Sequence, residues 1–236
     1  MMFSRNSKLW CICAALALAL QSPLGSAAEA PGYTWKPTDS RKGVKLFTSD
    51  DHTLSYDAVK GMTVLPVAAP RLLAVLRAFE NYPAWYADCV EARLIKAPSP
   101  APAQNEAVAA DDPLRYASGS TWQLYVRQSA SPLGDRWAIL ESQLRHGPKG
   151  SVTFTFNTLD KHPYKPPTDL TRMRLRGFWE LRPLGPARTL VTFVLDADPN
   201  VSVPAFLVNP AIEDKVVDTL LSLLKEAAPK KDRHGL

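Results

Sequence analysis

The chain has 236 residues, of which 46% are hydrophobic and 22% are charged, with 28 basic against 23 acidic side chains. This composition is that of an ordinary globular protein, so it excludes a disordered or fibrous chain. Three cysteines are too few for a small disulfide-stapled scaffold, and the modest excess of basic residues is not the signature of a nucleic-acid-binding protein.

The first 28 residues have the pattern of a secretory signal peptide. Arg5 and Lys8 precede an unbroken apolar run at 9–20, and helix-breaking and small residues follow up to Ala28. We expect cleavage after Ala28, which predicts a protein that is secreted across the inner membrane of a bacterium into the periplasm. The alternatives are an uncleaved N-terminal anchor, for which the apolar run is short, and a lipoprotein, which is disfavoured because bulky residues precede both early cysteines.

The rest of the chain divides by composition into three segments. No later apolar stretch reaches the ~20 residues that a membrane-spanning helix needs. The segments are a polar lead-in at 29–42, one globular domain at 43–228 and a charged tail at 229–236.

The first half of the domain predicts two strands and a short helix. The strands lie at 43–48 and 54–65, with Gly61 as a possible bulge in the second. Apolar residues then recur at helical spacing from Pro70 to Phe79. An aromatic cluster follows, in which we expect Trp85 to be a core residue.

Six further strands are predicted between this helix and the end of the domain. A Pro- and Ala-rich stretch at 97–113 interrupts them and is typical of a surface loop. Apolar and polar residues alternate in several strands, as expected when one face of a sheet is buried. The strands are 89–96, 115–128, 136–146, 151–158, 171–181 and 188–197.

The domain closes with a long amphipathic helix at 204–227, whose broad apolar stripe must lie on an apolar surface. Sequential strands joined by turns pair antiparallel, and the helices stand at separate points of the chain. These elements predict an α+β fold in which a curved antiparallel sheet wraps around the long C-terminal helix.

The order of these elements and the residues that punctuate them resemble a known family. The turn at 131–136 reads Ser-Pro-Leu-Gly-Asp-Arg, residues 177–183 read Gly-Phe-Trp-Glu-Leu-Arg-Pro, and residues 204–209 read Pro-Ala-Phe-Leu-Val-Asn. Together they are similar to the steroidogenic acute regulatory protein-related lipid transfer (START) family, within the Bet v 1-like helix-grip (SRPBCC) superfamily. The resemblance covers roughly 44–227, and it departs from the family where Trp137 replaces the usual acid after the turn arginine.

The resemblance implies binding of one hydrophobic molecule in a tunnel between the sheet and the C-terminal helix. Several members of the family move lipids between membranes, so the implied partners are a lipid or other hydrophobic small molecule and, transiently, a membrane surface. It leaves open whether lipid is transported or only held, and no pattern indicates an oligomer. The implied ligand contacts, each of which could instead be plain core packing, are Trp122, Leu124, Phe154, Phe156, Met173, Leu175, Trp179, Phe206, Ile212, Val216 and Leu220.

Polar groups near the implied tunnel are few. In sterol-binding members a buried acid and a buried arginine meet the ligand. Here the position of the acid falls at 123–125, where no acid is present, and that of the arginine falls near Ser142. The resemblance therefore favours an uncharged cavity for an acyl or isoprenoid chain. Asp135 and Arg136 could face a ligand, although their turn position favours a structural or surface ion pair. The loop at 160–169 is either a gate over the tunnel mouth or an ordinary surface loop.

No pattern indicates catalysis. The four histidines are scattered, and the sequence contains neither a nucleophile elbow nor a phosphate-binding loop. We expect a protein that is not an enzyme and needs no cofactor or metal, with Cys89 as a buried inert thiol. One alternative is a helix-grip enzyme, cyclase- or hydrolase-like, with Glu141 or Asp57 in its cavity; another is a scaffold with a filled core.

Overall fold

A computed structural model of the chain describes residues 32–51, 54–99, 116–130, 134–165 and 169–228. The expected signal peptide and the charged tail lie outside these residues. Ten strands and three α-helices make up the described chain. They are β1 (Lys36–Arg41), β2 (Val44–Ser49), β3 (Ala58–Leu65), α1 (Ala69–Arg77), α2 (Tyr82–Trp85), β4 (Cys89–Ser99), β5 (Thr121–Gln128), β6 (Arg136–His146), β7 (Val152–Thr158), β8 (Thr171–Arg172), β9 (Arg174–Gly185), β10 (Arg188–Asp198) and α3 (Ala205–Ala227).

The strands form one sheet with the order β1-β2-β3-β10-β9-β7-β6-β5-β4, and every neighbouring pair along this path is antiparallel. The two-residue strand β8 adds to β6 in parallel. The helix α3 lies across the inner face of β2, β3 and β10, while α2 packs against β4. This arrangement confirms the predicted α+β helix-grip class, a curved sheet around a long C-terminal helix.

The predicted lead-in segment contains a strand that the sequence analysis missed. Strand β1 pairs antiparallel with β2, and its side chains are almost all exposed, so it lacks the apolar alternation by which strands are recognised. Just before it, the Tyr33 hydroxyl donates to Asp196 Oδ2 at 2.9 Å, and the Lys60 ammonium lies 4.5 Å from the Trp35 ring centroid. This segment therefore covers the outer face of the sheet.

Gly61 does not form the predicted bulge, because its strand keeps a regular register with both neighbours. Its role is to admit the helix. A Cβ atom at this position would stand 2.6 Å from Val216 Cγ1 and 2.7 Å from Leu220 Cδ1. Only a residue without a side chain lets α3 approach β3 so closely.

Polar ties hold α3 to the sheet at its borders. Asn209 Nδ2 donates to Asp57 Oδ2 at 2.7 Å, and Arg41 forms ion pairs with both Glu213 and Asp214. Among the described residues, none of the helices combines the length and apolar character that crossing a membrane requires.

Candidate ligand cavity

A cavity lies between the inner face of the sheet and the segment around α2. Its volume is about 30 Å³, counted as the space that the centre of a water molecule can reach. Its lining residues are Tyr82, Tyr86, Cys89, Leu124, Val126, Gln128, Leu140, Ser142, Phe154, Phe156, Leu175 and Trp179.

The walls of the cavity are mainly aromatic and aliphatic. Phe154 packs against Trp122 with the ring centroids 5.6 Å apart, and Trp179 stacks on Phe193 at 3.9 Å. Tyr82 satisfies its buried hydroxyl by donating to the Leu76 carbonyl at 2.6 Å. No acidic or basic side chain belongs to the described lining. The described lining therefore suits an apolar group.

Two polar side chains meet at one end of the lining, on β4 and β5. Cys89 and Gln128 are register partners across β4 and β5, and both are buried. Burial raises the pKa of the Cys89 thiol to about 11. The thiol is therefore protonated at neutral pH, which agrees with the predicted buried, inert cysteine. Lys215 of α3 contacts this end from outside, through a hydrogen bond of 2.9 Å from its Nζ to Gln128 Oε1.

The structure brings five of the eleven predicted ligand contacts together in the cavity wall. Trp122 and Met173 are also buried, but they lie outside the lining. The Trp122 ring packs against Phe154. Those that line the cavity are Leu124, Phe154, Phe156, Leu175 and Trp179.

The predicted contacts from the C-terminal helix lie elsewhere. Ile212, Val216 and Leu220 are buried, but none of them lines the cavity, and the latter two pack over Gly61. Phe206, in the first turn of α3, is 73% exposed. The described cavity thus lies beneath α2, whereas the family resemblance implies a tunnel beneath the C-terminal helix.

Several lining residues were missed. Val126 and Leu140 share the inner faces of strands that were predicted correctly, so alternation alone could have found them. Tyr82 and Tyr86 belong to the aromatic cluster after the first helix, of which only Trp85 is predicted to have a role, as a core residue. Their position over the sheet depends on the path of the chain, which no local pattern records.

The predicted gate loop lies on the opposite face of the sheet. Tyr164 packs on the outward-facing Tyr125, with the ring centroids 5.3 Å apart. His162 Nε2 lies 3.3 Å from Oε1 of Gln123, which also faces outward. The described part of this loop, up to residue 165, therefore covers the outer surface of β5 and not the cavity. Of the two alternatives, these residues fit the ordinary surface loop.

Asp135 and Arg136 serve the structure of a turn. Arg136 is buried, and its guanidinium donates to the main-chain carbonyls of Gly134, Asp135 and Pro199. This ties the start of β6 to the segment that leads into α3. These bonds give Arg136 a structural role, as predicted, and Asp135 forms an ion pair with Arg127, with 3.7 Å between Oδ2 and Nε.

Glu141 and Asp57, the acids named for the enzyme alternative, do not line the described cavity. Glu141 accepts a hydrogen bond of 3.2 Å from Gln123 Nε2 on the outer face, and Asp57 binds Asn209 at the start of α3. Within the described ranges, no group of three or more His, Cys, Asp or Glu side chains stands close enough to hold a metal ion.

Comparison with known proteins gives relatives of similar architecture. No protein-family profile matches the chain. An uncharacterized protein of Pseudomonas aeruginosa is 23% identical over 210 residues, which are 88% of this chain and 93% of that protein.

Three solved structures superpose over most of the chain. The STAR-related lipid transfer protein from Xanthomonas axonopodis has a TM-score of 0.65 at 21% identity, covering 82% of this chain and 98% of that one. Human STARD10 has a TM-score of 0.66 at 20% identity and covers 82% and 72%. Human StAR-related lipid transfer protein 5 has a TM-score of 0.66 at 12% identity and covers 84% and 88%.

Proposed function

We propose, on the premise that this chain has the START-type helix-grip fold, that it binds a hydrophobic, lipid-like ligand between its sheet and its helices. The observation that carries the proposal is the cavity on the inner face of the sheet, whose described walls contain no charged side chain. An apolar chain placed there would lose its contact with water without burying an ion against it. Two of the structurally similar proteins are named as lipid transfer proteins, which supports the same proposal.

The size of the cavity determines how binding must occur. A volume of about 30 Å³ does not admit a lipid chain, so the wall has to move apart as the ligand enters. Burial of apolar groups supplies the driving force, because each buried methylene contributes roughly 0.8 kcal/mol. A chain of about 12 methylenes therefore gains roughly 10 kcal/mol. That gain offsets the loss of the side-chain contacts that fill the site.

A second candidate function is favoured by the same small volume. If the aromatic wall stays closed, the domain is a scaffold with a filled core, and its function lies on its surface. The two candidates differ in one measurable property, which is the uptake of an apolar ligand by the folded protein.

Native mass spectrometry of the gently purified protein tests the proposal. We expect a bound lipid of one class, which is lost on extraction with organic solvent and regained when the refolded protein is mixed with lipid. Heat-denatured protein is the control for non-specific adsorption. A protein that carries no lipid and takes up none from vesicles would refute lipid binding and leave the filled scaffold.

Secretion belongs to the proposal as well. We expect the mature protein to begin at Glu29 and to fractionate with the periplasm, because residues 1–28 have the pattern of a cleavable signal peptide. N-terminal sequencing of the protein from a periplasmic extract tests this. An intact Met1 in the membrane fraction would support the uncleaved anchor instead.

Transient contact with a membrane has a candidate surface. Phe206 and Leu207 are adjacent at the start of α3 and are 73% and 58% exposed. Single apolar side chains at a surface are ordinary, but two neighbours at a helix terminus can enter a lipid interface together. We expect the double change of Phe206 and Leu207 to Ser to slow lipid exchange with vesicles while the stability of the domain is unchanged.

A further inference from the structure

The side chain of Lys215 is mostly buried beside the Cys89–Gln128 end of the cavity. Its side chain is 14% exposed, and its Nζ lies 2.9 Å from Gln128 Oε1 and 3.2 Å from Asp88 Oδ2. The other lysine near the end of the same helix, Lys225, is exposed to solvent. Burial of a lysine needs a compensating interaction, because an ion loses its hydration when it leaves water.

The compensation that Lys215 receives is incomplete. The Asp88 side chain is 55% exposed, so water screens its attraction for the ammonium group. Gln128 contributes only a neutral oxygen. Burial lowers the pKa of Lys215 even though the neighbouring Asp88 opposes that shift. The folded chain therefore holds a cation that an additional anion nearby would stabilise.

The cavity is the place from which such an anion can approach. Gln128 and its register partner Cys89 both line it, so the Lys215 ammonium stands one hydrogen bond behind the wall. The described lining contains no carboxylate that would compete for the lysine. From this end the cavity continues along β5 and β6 toward Phe154 and Phe156.

We propose that the ligand is an amphiphile with one apolar chain and an ionised acidic head, either a carboxylate or a phosphate monoester. The head lies at the Cys89–Gln128 end, where Lys215 neutralises it, and the chain lies against Phe154 and Phe156. This inference rests on the proposed function, because it assigns the ligand class of the same cavity. A lysine suits such a head, since its compact charge pairs with any small anion without a fixed geometry.

Calorimetric binding to the delipidated full-length chain tests the inference. The probes share one hexadecyl-length chain and differ only in the head: palmitate, hexadecyl phosphate and hexadecanol, each below its micelle concentration. We expect at least one of the two anions to bind about tenfold or more tightly than the alcohol, because a charge-assisted hydrogen bond replaces a neutral one. The tighter of the two anions identifies the head as a carboxylate or a phosphate.

Substitution of the lysine separates its charge from its packing. Lys215→Met should bring the favoured anion to within about threefold of the alcohol while the affinity for hexadecanol stays unchanged. Lys215→Gln, which keeps polar contacts, should do the same and serves if the first variant folds poorly. Lys225→Met is the matched control, because it removes a positive charge from the exposed face of the same helix, and it should retain the preference.

Each result decides the inference. Equal affinities of the wild-type chain for all three probes would overturn the acidic head and leave lipid binding intact. If Lys215→Met binds all three probes more weakly by the same factor and still prefers the anion, Lys215 has only a structural role. That result would also overturn the inference of an acidic head. Binding of none of the probes or of any other lipid would refute the proposed function itself, and the acidic head with it.

Discussion

The inner face of the sheet is packed differently in its two halves. Under α3, strands β2, β3 and β10 form a sealed half, in which Gly61 admits Val216 and Leu220 to van der Waals contact with the backbone. Under α2, strands β4 to β7 and β9 form a hollow half, whose large side chains surround a cavity.

The difference between the halves follows from side-chain shape more than from hydrophobicity. A glycine opposite two branched aliphatic side chains allows close packing without a gap. In the hollow half, Phe154, Phe156 and Trp179 are wide and rigid, and they meet at edges and faces that leave space between them. Hydrophobic pattern therefore predicts that both halves are buried, but it does not predict which of them encloses a cavity.

The largest expected effect comes from removing a wall of the hollow half. Phe154 is buried, lines the cavity and packs against Phe79 and Trp122. Phe154→Ala should lower the free energy of unfolding by about 3–5 kcal/mol, because it deletes a buried ring and enlarges the cavity. Urea denaturation measures the change. Phe206→Ala is the matched control, because it deletes the same ring at an exposed site and should change stability by less than about 0.5 kcal/mol. A loss of less than about 1 kcal/mol for Phe154→Ala would mean that the hollow half collapses readily.

A smaller loss of unfolding free energy is expected when Gly61, in the sealed half, gains one carbon atom. Gly61→Ala places a Cβ within 2.7 Å of both Val216 Cγ1 and Leu220 Cδ1. It should lower the free energy of unfolding by about 1–3 kcal/mol, because the overpacking outweighs the reduced entropy of the unfolded chain. Denaturation of the variant and the wild type under the same conditions measures it. An unchanged midpoint would show that α3 moves away from β3 freely, and the contrast between the halves would then fail.

A larger apolar side chain in the lining of the hollow half should affect lipid binding more than stability. Ser142→Leu directs a larger apolar side chain into the cavity, so we expect a change in unfolding free energy within about 1 kcal/mol and a loss of lipid affinity of about tenfold or more. Gln143→Leu places the same residue on the other face of the strand and should leave the affinity unchanged. Equal affinities of both variants and the wild type would place the ligand outside this cavity.

The smallest expected effect on stability concerns Lys215, whose side chain extends from α3 to the hollow half. Lys215→Met should raise the melting temperature by about 2–4 °C at pH 7, because it replaces a poorly compensated buried charge and leaves Asp88 in water. The lowered pKa of Lys215 means that the unfolded chain binds more protons above neutral pH, so the wild type gains stability as the pH rises. The advantage of the variant should therefore shrink in alkaline buffer. A lower melting temperature would show that the hydrogen bonds to Asp88 and Gln128 outweigh the burial.

Much of the fold could be predicted from the sequence because local patterns carry it. The strand predicted at 136–146 agrees with β6 (Arg136–His146), and the helix predicted at 204–227 begins one residue before α3 (Ala205–Ala227). Alternation and amphipathic spacing report which face of an element is buried. They failed for β1, whose exposed polar side chains give no such signal, although backbone pairing with β2 holds it in place.

The site could be predicted only in part, because it depends on how distant elements meet. Alternation found the inward faces of β5, β7 and β9, and five of the predicted contacts line the cavity. The contribution of α2 and the burial of Lys215 depend on long-range packing that no local pattern contains. By its helical spacing Lys215 lies opposite the apolar stripe of α3, yet its long side chain extends to Gln128.

The small size of the cavity predicts the kinetics of ligand uptake. Because the water-centre space of about 30 Å³ is smaller than a lipid chain, we expect the wall to separate before a ligand enters and the rate of separation to limit loading. The observed rate constant for uptake should then rise to a plateau as the ligand concentration increases. That plateau should be the same for ligands of different affinity, since it reports a property of the protein alone.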